Sequence, residues 1–140
     1  MMNPEHLQIL TATPSVEIYR HLRAAAGLSP KTPEAAERGL RGTLFAVQIC
    51  LHNAVIGMGR VIGDGGCFYQ VVDIAVLPAH QGQGIGKMIM REIIQYLHAE
   101  APVSAYVSLI ADGKAQDLYA QFGFQLTAPR SVGMAIKIQP

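Results

Sequence analysis

Apolar and polar positions change period along the chain, and each period predicts a different kind of element. Val16, Tyr19, Leu22 and Ala26 recur every three or four residues, which predicts an amphipathic helix from Pro14 to Ala26, stopped by Gly27. Pro33 to Gly42 predicts a second, short helix with Thr32 as N-cap and Pro33 at its first position. Leu28-Ser29-Pro30-Lys31 between them reads as an exposed loop. From Thr43 the pattern becomes short apolar runs, Thr43 to Leu51, Ala54 to Ile62 and Cys67 to Leu77. His52-Asn53 and Gly63-Asp64-Gly65-Gly66 divide them as turns, which predicts an antiparallel meander holding the core. Pro78 closes the third run because it has no N–H for a ladder.

Gly84 to Ala99 returns to a helical period, with Ile85, Met88, Ile89, Ile93, Tyr96 and Leu97 on one face and Lys87, Arg91, Gln95 and His98 opposite. Val103 to Ile110, after Pro102, predicts a strand buried on both faces. Strand, long helix, strand implies a right-handed crossover between parallel neighbours. Ala115 to Phe122 predicts a short helix stopped by Gly123, and Val132 to Ile138 a last strand. The predicted fold class is mixed α/β: a mostly antiparallel twisted sheet flanked by helices, as one domain over residues 1–140.

Composition narrows the class further. The chain has 140 residues, 50% hydrophobic and 15% charged, enough apolar matter for one real core. Eleven basic residues against ten acidic ones leave a net charge of +1, which argues against a nucleic-acid binder. Met1 to Leu10 has no basic region followed by an apolar run, and nothing approaches the roughly 18 apolar residues of a membrane span. A cytoplasmic protein with two reduced, buried thiols, Cys50 and Cys67, is expected. The five histidines and two cysteines show no paired metal spacing, and Ser104 and Ser108 have no nucleophile elbow around them. Met88, Met90 and Met134 read as core filler.

The chemistry-bearing segment is Gln81-Gly82-Gln83-Gly84-Ile85-Gly86-Lys87, which follows a strand and opens the long helix. Alternate glycines let backbone N–H groups reach a ligand, and the unpaired amides of a helix start favour an anion such as phosphate. A dinucleotide fingerprint would need glycine at 87, where Lys87 stands. A P-loop would need glycine at 81 and a hydroxyl residue at 88, where the chain has Gln81 and Met88.

Gln81-x-x-Gly84-x-Gly86 after a strand and Pro78, then the long helix, a strand, Leu118-Tyr119 and Phe122-Gly123-Phe124, resembles the GCN5-related N-acetyltransferases (GNAT) from about Thr43 to Phe124. The resemblance implies an acyl-CoA N-acyltransferase-like fold with a splayed parallel strand pair as cofactor cleft. It implies that the amides of Gln81, Gly82, Gln83, Gly84, Ile85, Gly86 and Lys87 cradle the pyrophosphate of acetyl-CoA. The backbone of Ile74, Ala75 and Val76 would pair with the pantetheine arm, with Val76 or Ala75 donating to an oxyanion. Tyr119 matches the family tyrosine that protonates the leaving thiolate, although by pattern alone it reads as a core aromatic. Asp73 matches an acidic residue of several small-amine acetyltransferases and is the candidate base, directly or through water. The alternative for Asp73 is a solvent-facing or salt-bridged strand residue. His80 is a second titratable group near the cleft mouth. Asp112 stands where many members have a cofactor-contacting asparagine, and could instead cap the last helix. Gln81 replaces the commoner arginine, which shifts the phosphate site toward backbone amides and Lys87.

The implied reaction is acetyl transfer to a small-molecule or peptide amine by direct attack in a ternary complex. A non-catalytic acyl-CoA sensor and a protein-lysine or N-terminal acetyltransferase are the alternatives. In the family the acceptor site is built largely by the first two helices, their loop and the C-terminal strands. From Pro14 to Gly42 five cationic residues, Arg20, Arg23, Lys31, Arg38 and Arg41, face three glutamates, which disfavours a polycationic acceptor. Exposed strand edges after Gly123 suggest a homodimer.

Overall fold

In the computed structural model, which describes residues 6–140, both N-terminal helices start at hydroxyl caps. Ser15 Oγ accepts from Ile18 N–H to open α1 (Val16–Ala25), and Thr32 Oγ1 accepts from Ala35 N–H to open α2 (Pro33–Leu40). Five strands follow the order β1-β2-β3-β4-β5, namely Leu7–Leu10, Phe45–Leu51, Ala54–Gly63, Phe68–Val76 and Tyr106–Ser108. The first three junctions are antiparallel, and β4 and β5 are parallel, joined through α3 (Ile85–Glu100). A last helix, α4 (Ala115–Ala120), lies beyond β5.

Each face of the sheet has its own core. Tyr19 and Leu22 of α1 and Ala36 and Leu40 of α2 pack with Met58 and Ala75 on one side. On the other, Ile85, Ile89, Met90, Ile93 and Leu97 of α3 pack with Val47, Ile49, Val61 and Val71. Close approach on that side depends on Gly59, where a methyl would stand 2.5 Å from Ile89 Cγ2 and 2.7 Å from Ile74 Cδ1.

The pairing of β3 with β4 slips between Met58, opposite Ala75, and Arg60, opposite Val72. One residue of β3 therefore faces two of β4, a bulge in which Asp73 takes a left-handed conformation (φ 59°). The bulge resets the inward-outward alternation. Val71 and Ile74 lie on the α3 side, whereas Asp73 points to α1.

Several expectations are corrected. The strand over Val103 to Ile110 shrinks to three residues and is not buried on both faces: Val103 is 98% exposed, and Tyr106 and Ile110 are also exposed. Val132 to Ile138 forms no strand, so Met134 is exposed instead of filling the core. Leu7–Leu10 was missed as an edge strand because most of it is exposed and its alternation is too short to stand out. Cys67 is exposed, unlike buried Cys50; both thiols are free. No described helix is long and apolar enough to cross a membrane.

Candidate active site

Parallel pairing of β4 with β5 ends at Gln70 and Ser108, after which the two chains part. The gap is a cleft of about 810 Å³, lined by Val71 to Ile74 on one side and Leu109, Ile110 and Asp112 on the other, with Tyr119 at its wall. Its size falls within the ~300–1,000 Å³ common for small-molecule sites. Leu77 N–H donates to Ile56 O at 2.8 Å, toward β3. By strand alternation the amides of Ile74 and Val76 point the opposite way, to the open side, while that of Ala75 points to β3.

The glycine loop meets the end of β4. Gln81 Nε2 donates to Val76 O at 3.0 Å, fixing that peptide plane. Gly82 (φ 77°) and Gly84 (φ 85°) are left-handed, with open space around both, and Gly84 caps α3 without any side-chain hydrogen bond. The first-turn amides of Ile85, Gly86 and Lys87 thus remain available for an anion. Gly86 lets Leu118 of α4 approach, since a methyl there would lie 3.1 Å from Leu118 Cδ2. Ile85 is buried in the core and contributes only backbone to this end, while Gln83 and Lys87 are exposed.

Tyr119 is 8% exposed and packs edge-on to Phe124, with ring centroids 6.4 Å apart. Burial, and secondly the charge of Asp112, push its phenol pKa above the ordinary value. Asp112 lines the cleft but does not cap α4 with its side chain: its backbone carbonyl accepts from Ala115 N–H, and Lys114 occupies the cap position. His80 ends a short 3-10 turn, Pro78–His80, and does not line the cleft.

The sequence left the surroundings of Asp73 open, and the structure fills them. Its side chain is 4% exposed. Oδ1 accepts from Tyr19 Oη at 2.9 Å and Arg23 Nη1 at 2.5 Å, and Oδ2 accepts from Arg60 Nε at 2.8 Å. The remaining Arg23 bonds go to Ser29 O and Oγ, and those of Arg60 Nη1 to Thr43 Oγ1 and Gly39 O. Burial first, then the Asp73 charge, raise the Tyr19 pKa. Tyr19, Arg23 and Arg60 all line the cleft, and sequence reading did not single them out as site residues. A signal existed: an aspartate and an arginine each inside an apolar run need a counter-ion, and each could supply the other's.

Residues 41–126 match the family model described as an acetyltransferase (GNAT) domain. The chain belongs to the GCN5-related N-acetyltransferase family, whose acetyl donor is acetyl-CoA. It is 35% identical over 78 residues to an uncharacterized N-acetyltransferase, ycf52, of Gracilaria tenuistipitata var. liui, covering 56% of this chain and 41% of that one. The chain spans less than half the length of the curated relatives it matches. A protein of unknown function from meticillin-resistant Staphylococcus aureus, described as a probable acetyltransferase, is 51% identical with a TM-score of 0.90, covering 94% of this chain and 99% of that one. A GNAT acetyltransferase of Brucella melitensis in complex with acetyl-CoA shares the fold at 23% identity and a TM-score of 0.65, covering 86% of this chain and 84% of that one.

Proposed function

We propose that this domain transfers the acetyl group of acetyl-CoA to a primary amine by direct attack in a ternary complex. One observation carries the reading: the parted strands open a cleft bounded by free β4 amides and a buried phenol, beside an uncapped helix start. The residues present fit the donor. The amides from Gly82 to Lys87 hold the pyrophosphate, and the open edge of β4 holds the pantetheine arm. Asp112, exposed on the cleft lining, adds a further contact to acetyl-CoA.

Val76 N–H faces the carbonyl oxygen of the acetyl group and stabilises the negative charge that develops there; Gln81, bonded to Val76 O, holds the following peptide, between Val76 and Leu77. As the amine nitrogen forms its bond to the carbonyl carbon, the C–S bond breaks and Tyr119 gives its phenolic proton to the departing thiolate. Its raised pKa keeps that proton available through neutral pH. Asp73 is closed off by three donors, so the amine loses its proton to water in the cleft. The unpaired outer edge of β5 and the exposed Val132, Met134, Ile136 and Ile138 support a homodimer, an idea a monomeric sedimentation mass would overturn.

The test is calorimetric titration with acetyl-CoA, with NAD and ATP as controls, followed by turnover of Tyr119→Phe. Selective binding of acetyl-CoA by both proteins is expected, with kcat about 10²-fold or more lower in the variant. Equal turnover would remove Tyr119 as the acid, and absence of binding would remove the reading.

A further inference from the structure

Beside Asp73 the cleft carries more positive charge than its own chain neutralises. Arg23 and Arg60, with side chains 10% and 7% exposed, share a single carboxylate. Their other acceptors, the carbonyls of Ser29 and Gly39 and the hydroxyls of Ser29 and Thr43, are neutral. The Tyr19 ring, 5.9 Å from the Arg23 guanidinium carbon and 5.3 Å from that of Arg60, eases the excess without cancelling it.

Arg60 Nε and Nη1 are occupied, yet Nη2 donates no hydrogen bond among the described residues, although Arg60 is buried and lines the cleft. No side-chain nitrogen or oxygen sealed from solvent lacks a partner among the described residues, so the Nη2 edge is reached from the cleft and its two N–H groups are open to a charged acceptor there. Lys31 stands at the exposed rim of the same cleft, and Arg20 is turned to the Lys31 carbonyl at 2.8 Å. Opposing charge on the cleft lining comes from Asp112. Arg38 and Arg41 are paired with Glu34 and Glu37 along α2, so the net positive charge of this region is concentrated at Arg23, Arg60 and Lys31.

We propose that Arg60, backed by Arg23 and Lys31, forms the acceptor subsite, and that the acceptor is a small primary amine carrying its own carboxylate or phosphate. The proposal rests on the acetyl-transfer reading and names its substrate class. The free Nη2 of Arg60 offers charge-assisted N–H bonds to an oxyanion, and the anion completes the neutralisation that Asp73 begins. The amine end then lies in the cleft toward Tyr119 and the Val76 amide. Diamines and polyamines are rejected because the subsite would place cation against cation.

The experiment uses the unmodified protein and amines of matched shape: γ-aminobutyrate, its amide, phosphoethanolamine and putrescine, with rates referred to the unprotonated amine. The carboxylate or the phosphate amine should exceed the amide at least tenfold in kcat/KM, mostly through KM, and putrescine should be poorest. Comparing the two anionic amines identifies which oxyanion is read. Arg60→Lys, which keeps the charge beside Asp73 but lacks Nη2, should erase the preference. Thermal shifts in each amine, with and without CoA, need no turnover; only anionic amines should raise the melting temperature. Equal rates and equal shifts for anionic and neutral amines would overturn the subsite while leaving acetyl transfer intact. Failure to bind acetyl-CoA would strike the acetyl-transfer reading, and the thermal shifts alone would still decide the subsite.

Discussion

Replacing Asp73 by asparagine separates its two conceivable roles. The carboxylate uses both oxygens: Oδ1 faces Tyr19 and Arg23, and Oδ2 faces Arg60. An amide has only one acceptor oxygen. Turned one way, its NH₂ meets the Arg60 donor; turned the other way, it meets Arg23 and Tyr19. Either rotamer leaves two guanidinium groups without a counter-ion at a site 4% exposed. Removing one partner of a buried ion pair costs about 3–5 kcal/mol, and this pair is a triad. That is a large share of the roughly 5–15 kcal/mol by which domains are stable, and corresponds to a fall in melting temperature on the order of 10 °C. Urea unfolding should show a lower midpoint at unchanged slope. Tyr19→Phe alone should cost about 1 kcal/mol and much less in the Asp73→Asn background, the non-additivity expected of groups sharing one oxygen. The folded fraction of Asp73→Asn should retain measurable turnover. An asparagine variant as stable as the parent but stripped of kcat would refute this reasoning and make Asp73 the base.

Three further outcomes follow from the geometry. Because burial and Asp112 raise the Tyr119 pKa, protonated phenol persists as pH rises. Activity should climb with deprotonation of the acceptor amine and show no loss due to Tyr119 below about pH 10; a descending limb near neutral pH that disappears in Tyr119→Phe would contradict this. Gly59→Ala puts a methyl 2.5 Å from Ile89 Cγ2 and should destabilise by about 1–3 kcal/mol in urea titration, while an unchanged midpoint would mean that α3 packs less closely than described. Thr32→Ala removes the α2 cap and should cost about 1 kcal/mol by the same measurement, with Thr32→Ser restoring it.

The residues dictated most of the local structure. Thr32 before Pro33 marks a helix start in any context, because a hydroxyl acceptor and a fixed φ suit that position alone. Gly82 and Gly84 marked a glycine loop at the mouth of α3, where the backbone is left-handed, and the family pattern led from there to Tyr119 as a candidate. These signals survive without tertiary knowledge because they act within a few residues. Val132 to Ile138 and Val103 to Ile110 show the limit: apolar alternation records a capacity for strand, and pairing needs a neighbour that the sequence does not specify.

Asp73 lies at the boundary between the two kinds of information. Strict alternation from Val71 would send it to the α3 side, into an apolar core where a carboxylate is untenable. A bulge opposite Gly59 turns it to α1 and to two arginines distant in sequence. The sequence by itself determined the helices, the three central strands, the glycine loop and the need of a buried aspartate for a partner, since propensity and charge are local properties. Tertiary structure alone decided which partners answered that need and that one guanidinium edge was left facing the cleft, because a one-residue slip between strands and the crossing of a distant helix are not properties of any single segment.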